Sequence, residues 1–307
     1  MTEVPELPLV TIVTPSYNMA RFLPAAIESV LSQDYPRIEY LVKDACSTDG
    51  TLAVLERHAA SFRYTTIRDS GPAEAIRNGF REARGEILAW LNADDAYEPG
   101  AVRRAVKYLA AHPEVDVVYG DGWWIDEDGR RIRPYPTRPF DAEAFHRECF
   151  LCQPAVFFRA RAYQDCEIDT SLKTVFDYDL WIRMAAAGRR FAYLQAHLAN
   201  TRMHRETLTL GSRELVFRET LALLGRHYGY VPFPWLFGYA AYLADGRDQF
   251  LEPLRPSFWK YLRSLPLGLS YNRGQPFRFL ADWVLAPWRP LLSGRGSTVR
   301  NHPLPRP

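Results

Sequence analysis

Several aspartates in the first third of the chain are placed where they could do chemistry together. Asp44 follows the apolar segment Ile38 to Val42, Asp69 follows Tyr64 to Ile67, and the tandem pair Asp94-Asp95 follows the run Ile87 to Leu91. Carboxylates gathered on one rim repel unless a cation sits among them, so a divalent metal with oxygen ligands is the chemistry they suggest. A lone Asp in such a place equally serves as a turn residue or helix cap. The tandem pair is what tips the reading toward a site.

These residues need elements to hold them. Val10 to Ser16 (VTIVTPS) is an apolar, β-branched strand closed by Pro15-Ser16-Tyr17-Asn18, and Ala25 to Leu31 repeats apolar residues at helical spacing until Asp34-Tyr35-Pro36 stops it. The unit recurs as strand Ile38 to Val42 with helix Thr48 to His58, then Tyr64 to Ile67 with Ala73 to Ala83, then Glu86 to Leu91 with Gly100 to Ala110, then strand Val115 to Tyr119. Strands alternating with helices predict an α/β fold, a mostly parallel sheet with helices on both faces. In such sheets ligands bind outside the carboxyl ends of the strands, where these aspartates fall. The chain has no G-x-G-x-x-G after its first strand, no G-x-x-x-x-G-K-[ST] and no G-x-S-x-G. Dinucleotide binding by the Rossmann fingerprint, P-loop phosphate binding and serine hydrolysis each lack their defining loop.

The composition is that of a folded protein: 307 residues, 47% hydrophobic, 24% charged, net charge +2. Intrinsic disorder and collagen-like repeats are excluded. Four cysteines are too few for a disulfide scaffold, and MTEVPELPLV has acids and prolines where a signal peptide carries a basic and an apolar region, so the cytoplasm is the expected compartment. The longest uncharged stretch, Tyr228 to Ala244, contains Pro232 and Pro234 and is shorter than the ~20 residues of a spanning helix. His146, Cys149, Cys152 and Cys166 form an array in which buried free thiols are favoured over a zinc site.

Charge divides the chain near Gly211. Residues 213–307 carry 13 Lys+Arg against 6 Asp+Glu, the preceding 212 residues 25 against 30. The expectation is a domain over 1–212 and a mostly helical extension over 213–307, opening with a helix at Glu214 to Tyr228 and rich in aromatic and basic residues such as Phe258-Trp259-Lys260-Tyr261, Phe277-Arg278-Phe279 and Trp288-Arg289. That composition suits a peripheral helix on the cytoplasmic face of an anionic membrane and equally a lid over the first domain. No nucleic-acid-binding module is recognised.

With these residues in place, the chain resembles a family 2 glycosyltransferase, whose GT-A fold is a single Rossmann-like domain that binds nucleotide sugars. Thr14-Pro15-Ser16-Tyr17-Asn18 matches the family's strand leading into P-[ST]-[YF]-N, and Gln33-Asp34-Tyr35-Pro36 matches its Q-x-Y-P. The second-strand signature is matched from Glu39 through Asp44 and Ser47 to Asp49-Gly50-Thr51. Asp69-Ser70-Gly71, Ala75 to Gly79 and Ala83 to Asp95 continue the series.

The resemblance implies roles residue by residue. Asp44 is similar to the aspartate that binds the nucleotide base, with Pro15, Tyr17 and Asp69 around base and ribose. Asn92, Asp94 and Asp95 resemble the D-x-D region, with Asp95 the preferred ligand of Mg²⁺ or Mn²⁺ and Asp94 at the ribose or a metal-bound water. Asp177, in Val175 to Trp181, resembles the general base of E-D-x-D-L-W, with Phe176 in place of the usual acid and Asp179 in reserve. His204, in Thr201-Arg202-Met203-His204, resembles a residue that completes the metal shell. Gln153 and Trp181 resemble acceptor-site residues, Arg77 stands where many relatives carry Asn, and Ala45-Cys46 replaces a Gly-rich turn.

The implied activity is single-displacement, inverting transfer from a nucleotide-diphosphate sugar, UDP-linked in the first instance, to a hydroxyl of a saccharide or lipid-linked acceptor. Cell-surface polysaccharide or lipopolysaccharide synthesis is the setting this implies. A nucleotidyltransferase would need a Gly-rich, Arg-containing loop that is absent. A non-catalytic nucleotide-sugar or glycan-binding relative is the alternative, since Asp177 alone separates it from an enzyme.

Overall fold

The computed structural model describes residues 7–246 and 257–286. Trp288-Arg289 and the start of the chain lie outside the described residues. The chain forms two compact units, one of residues 7–140 with 150–204, the other of 141–149 with 205–246 and 257–286.

In the first unit β1 (Val10–Ser16), β2 (Ile38–Asp44), β3 (Arg63–Thr66) and β4 (Ile87–Trp90) alternate with α1 (Leu23–Leu31), α2 (Thr51–Arg57) and α3 (Pro72–Glu82). The four strands lie side by side in the order β3-β2-β1-β4, all parallel. Their registers pair Ser16 with Asp44, Asp44 with Thr66, and Val13 with Trp90. Every strand therefore ends at one edge of the sheet, and the residues that follow them share it.

Past β4 the sheet is mixed. β5 (Ala96–Tyr97), α4 (Ala101–Ala111), β6 (Val117–Ile125) and β7 (Arg131–Pro134) are followed, within the first unit, by β8 (Val156–Arg159), α6 (Ala160–Tyr163), α7 (Phe176–Ala186) and β9 (Phe191–Arg202). β8 is antiparallel to both β4 and β6, β9 runs parallel to β6, and β5 closes the order antiparallel to β9. β6 runs to Ile125, past the Tyr119 that hydrophobicity predicts, because Gly120 and Gly122 interrupt the apolar pattern. A side chain at Gly122 would meet Cys152 Sγ at 2.3 Å, so the glycine is there for close packing.

Both faces of the parallel part are covered. Val10, Ile12, Val42 and Ala89 face a core with Leu23, Ile27 and Val30 of α1 and Val102, Val106 and Leu109 of α4. On the other face α3 packs on β1, and Trp90 stacks on Trp181 of α7 at 5.3 Å beside the edges of Phe80 and Phe158. α3 sits so close that a Cβ on Gly79 would lie 2.5 Å from Val13 Cγ1. In an open helix Gly→Ala stabilises by about 1 kcal/mol, whereas overpacking costs about 1–3 kcal/mol. Gly79→Ala is therefore expected to lower the stability measured by urea unfolding, and Val13→Ala in the same chain to restore part of it.

The second unit contains α5 (Ala142–Arg147), α8 (Leu208–Gly211), α9 (Arg213–Tyr228), α10 (Phe233–Asp245), α11 (Phe258–Tyr271) and α12 (Pro276–Leu285). His146 is tied to this unit through the Tyr230 carbonyl at 2.9 Å and a stack on Tyr228. All four cysteines are free, and among the described residues no three metal-ligating side chains converge. No described helix is long and apolar enough to cross a membrane.

Candidate active site

The loops beyond β1 and β2 are stitched to each other. Asp44 is buried at the end of β2 and accepts from Ser47 N at 3.0 Å and Ser47 Oγ at 2.5 Å. Ser47 Oγ in turn accepts from Asn18 N, and Asn18 Oδ1 accepts from Thr48 N, with Asn18 held in the left-handed region at φ 53°. Asp49 accepts from Ala20 N and Thr51 N. The residues that carry the sequence motifs thus build the floor, and Tyr17 stands exposed above it.

Asp69, after β3, accepts from Gly71 N at 2.9 Å. Burial raises its carboxyl above the ordinary value, and the charges of Glu74 and Asp44 add to this. Asp44 and Asp69 are therefore close enough to feel each other across the end of the sheet. On α3, Arg77 donates to Thr170 Oγ1 at 3.2 Å while its buried Nε finds no partner among the described residues.

The turn after β4 separates the tandem pair. Asp95 N bonds back to Asn92 O, which sends the two side chains apart. Asp95 is buried, one oxygen accepting from Arg202 N at 3.0 Å and the other from Asn92 Nδ2 at 3.1 Å. Burial, and then the Asp94 charge beside it, push its carboxyl well above the usual range. Asp94 instead directs Oδ2 at His204 Nε2, 3.0 Å away.

Arg202 fixes this arrangement. Its Nε donates to Asp94 O, its Nη1 donates to the carbonyls of Asp126 and Glu127, and its guanidinium lies over the Phe22 ring. His204 packs on the same ring at 4.6 Å. Phe22 gave no signal in the sequence: it sits in a loop far from both residues along the chain, and only folding brings them together.

Asp177 lies in the first turn of α7, one turn before Trp181 and hence on the helix face that meets β4. It is half-buried, accepts from Tyr178 N at 2.7 Å, and burial raises it to about 6. Asp179 points elsewhere, buried in an ion pair with Arg183 Nε at 2.6 Å. That pair occupies the reserve candidate with holding the helix.

Packing removes one of the two acceptor-site expectations, Trp181, and shows what holds the other, Gln153. Trp181 is fully buried between Trp90 and Phe158, so no sugar face can reach its ring. Gln153 donates from Nε2 to Trp90 O and accepts at Oε1 from Asn92 Nδ2, so both ends of its amide hold the turn after β4. Pro15 is buried near the end of β1.

Residues 11–166 match the profile of glycosyl transferase family 2. The chain belongs to that family. Among similar proteins of this family 2 chain is a chondroitin synthase of Escherichia coli, 27% identical over 238 residues, which are 74% of this chain and 34% of that protein. The chain thus spans about a third of that relative's length. Among solved structures, Staphylococcus aureus TarS residues 1–349 in complex with UDP-GlcNAc superposes with a TM-score of 0.63 at 17% identity, covering 93% of this chain and 86% of that one. A mannosyltransferase from Pyrobaculum calidifontis with GDP-Man and Mn²⁺ has a TM-score of 0.57 at 20% identity, covering 92% and 81%. At these identities the likeness is one of fold, and the fold of the family 2 chain is GT-A.

Proposed function

We propose that this chain transfers a sugar from a nucleoside-diphosphate sugar to a hydroxyl group of a saccharide or lipid-linked saccharide, inverting the anomeric carbon. The observation that carries the reading is the separation of Asp94 from Asp95: one carboxylate is committed to the scaffold, while the other meets a histidine at the edge where the strands end. A merely structural pair of aspartates would not need the second arrangement.

Asp44 and Asp69 stand where a base and ribose would be read by hydrogen bonds, with the exposed Tyr17 as a wall and the buried Pro15 shaping the strand end behind it. Asn92, steered by Gln153, would face the ribose side, and Arg77, with its unpartnered Nε, would offer positive charge. A carboxylate oxygen and an imidazole nitrogen directed at one another are a donor set that fits Mg²⁺ or Mn²⁺. We place Asp94 and His204 at the ion, with Asp95 holding the turn. When bound, the ion would neutralise the diphosphate as it departs.

Asp177 acts as general base. Its raised affinity for a proton suits it to take one from the acceptor hydroxyl as oxygen attacks the anomeric carbon, with no covalent intermediate on the enzyme. UDP-sugars are the first donors to try because of the TarS complex, and GDP-sugars the second because of the mannosyltransferase complex. The relative named a chondroitin synthase supports polysaccharide synthesis as the setting.

The test is a panel of UDP-, GDP-, dTDP- and CMP-sugars scored by thermal stabilisation, with Mn²⁺ and with EDTA. One nucleotide class is expected to raise Tm only with metal; at a ligand concentration 100 times Kd the gain is about 2.7 kcal/mol. No shift with any donor in either condition would end the reading.

A further inference from the structure

The second unit carries an apolar surface that its own described helices leave uncovered. α11 and α12 pack antiparallel: Tyr261 stacks on Trp283 at 4.1 Å, its hydroxyl donates to Trp283 O, and Phe279 lies against Gly268. The inward side of α12 buries Phe279 and Asp282. Its outward side presents Phe277, Ala281, Val284 and Leu285, spaced i, i+4, i+7 and i+8, all exposed. Phe277 is 83% exposed, and at the start of α11 Phe258 and Trp259 are 69% and 72% exposed. Because the helices are antiparallel, those two aromatics lie toward the Leu285 end of α12. Large aromatics left in water forgo the free energy of burial, so a run of them marks a surface that meets something.

Charge identifies what it meets. Arg263, Arg273 and Arg278 are exposed on the same two helices and the turn between them. The sole acid in residues 257–286, Asp282, is buried and held by Arg147, Tyr230 Oη and Phe233 N, which keep its carboxyl below the ordinary value. The outward charge is therefore positive throughout. A second copy of the chain would set like charges against each other. Residues 287–307, with four arginines and no acid, have the same sign. An apolar face fringed by cations is complementary to a surface that is negative outside and apolar beneath.

We infer that α11 and α12 dock on an anionic membrane surface, with Phe258, Trp259 and Phe277 entering the boundary between headgroups and acyl chains and Arg263, Arg273 and Arg278 among the headgroups. Aromatic rings suit that boundary, where one end is apolar and the other wet. The inference does not rest on the transfer reaction, and it concerns this unit alone.

The experiment is co-sedimentation of the full chain with vesicles of phosphatidylcholine alone and of phosphatidylcholine mixed with phosphatidylglycerol, at low and high salt. Binding is expected to the mixed vesicles and to weaken as salt rises. Arg263→Ala with Arg273→Ala should lower the partition coefficient about 30-fold, since each cation near such a surface contributes about 1 kcal/mol. Trp259→Ser with Phe277→Ser should lower it by on the order of 100-fold with Tm unchanged. No pelleting with mixed vesicles would overturn the inference. So would equal pelleting with both vesicle types at both salts, or light scattering that shows a dimer dispersed by Trp259→Ser with Phe277→Ser. None of these readouts uses a donor sugar, so a negative donor panel and a negative vesicle assay remain separate results.

Discussion

Asp177→Asn is expected to cut sugar transfer by about 10²–10⁴-fold, leave metal-dependent donor stabilisation in place, and make the protein more stable. The three effects share one cause. Asp177 sits on the face of α7 that meets β4, takes a backbone hydrogen bond from Tyr178 N, and is raised from 3.8 to about 6 by burial. A group whose folded-state value is raised above its unfolded value, when the group is a carboxyl, binds its proton more tightly in the folded protein. Its ionisation therefore costs stability as pH rises from 3.8 to about 6, and the cost is present in full above that window. The shift corresponds to about 1–3 kcal/mol once partial solvent access is allowed for. Asn keeps the oxygen that accepts from Tyr178 N and carries no charge, so urea unfolding at neutral pH should show a gain of that order.

The same value sets the pH profile. Only the ionised form can accept a proton, so kcat/KM of the native protein should fall tenfold per pH unit below about 6 and level off above it. Transfer by Asp177→Asn that stays within tenfold of the native rate would remove Asp177 from the role of base. A variant that loses transfer and stability together would mark it as structural instead.

Asp94→Ala and Asp95→Ala are expected to fail in different ways. The carboxylate of Asp94 meets His204, and the pair stands at the sheet edge. Its removal should weaken metal-dependent donor binding by on the order of 100-fold or more and change stability by about 1 kcal/mol at most. Asp95 accepts from Arg202 N and Asn92 Nδ2 inside the protein, so Asp95→Ala leaves the buried Arg202 N without an acceptor and takes from Asn92 Nδ2 one of its two. An unmade buried hydrogen bond costs about 1–3 kcal/mol, and Asp95→Ala should lower Tm clearly. Titration of Mn²⁺ into each variant with donor present, followed by Tm, separates the two. If Asp95→Ala keeps its stability and loses the metal response while Asp94→Ala keeps it, the assignment of the pair is reversed.

Much of the first unit was legible in the sequence. The strand–helix alternation from Val10 to Ala110 predicted the parallel strands β1 to β4 because parallel strands are buried on both faces and read as short apolar runs between helical periods. The strand-end positions of Asp44, Asp69 and Asp94-Asp95 followed directly. Less was legible beyond β4. The antiparallel pairings of β8 and the length of β6 depend on partners distant in sequence, and Gly120-Asp121-Gly122 hides a strand that exists through close packing against Cys152 and β9.

By itself the sequence determined the α/β class, the sheet edge at which the strands end and the aspartates that stand there, because each of these rests on local period and spacing, while its spaced motifs gave the resemblance to the family. Only the tertiary structure decided which way each side chain turns. Past the end of a strand the two-residue alternation no longer applies, so Asp94 and Asp95 were separable only through Arg202 and His204, which arrive from β9 and the residues after it. Helical spacing put Asp177 and Trp181 on one face, and contact with Trp90 and Phe158 then buried the tryptophan and left the aspartate nearer the surface. Gln153 went to the turn after β4 for the same reason: a buried polar group takes whatever partners the fold brings within reach, and those are not written in its neighbours along the chain.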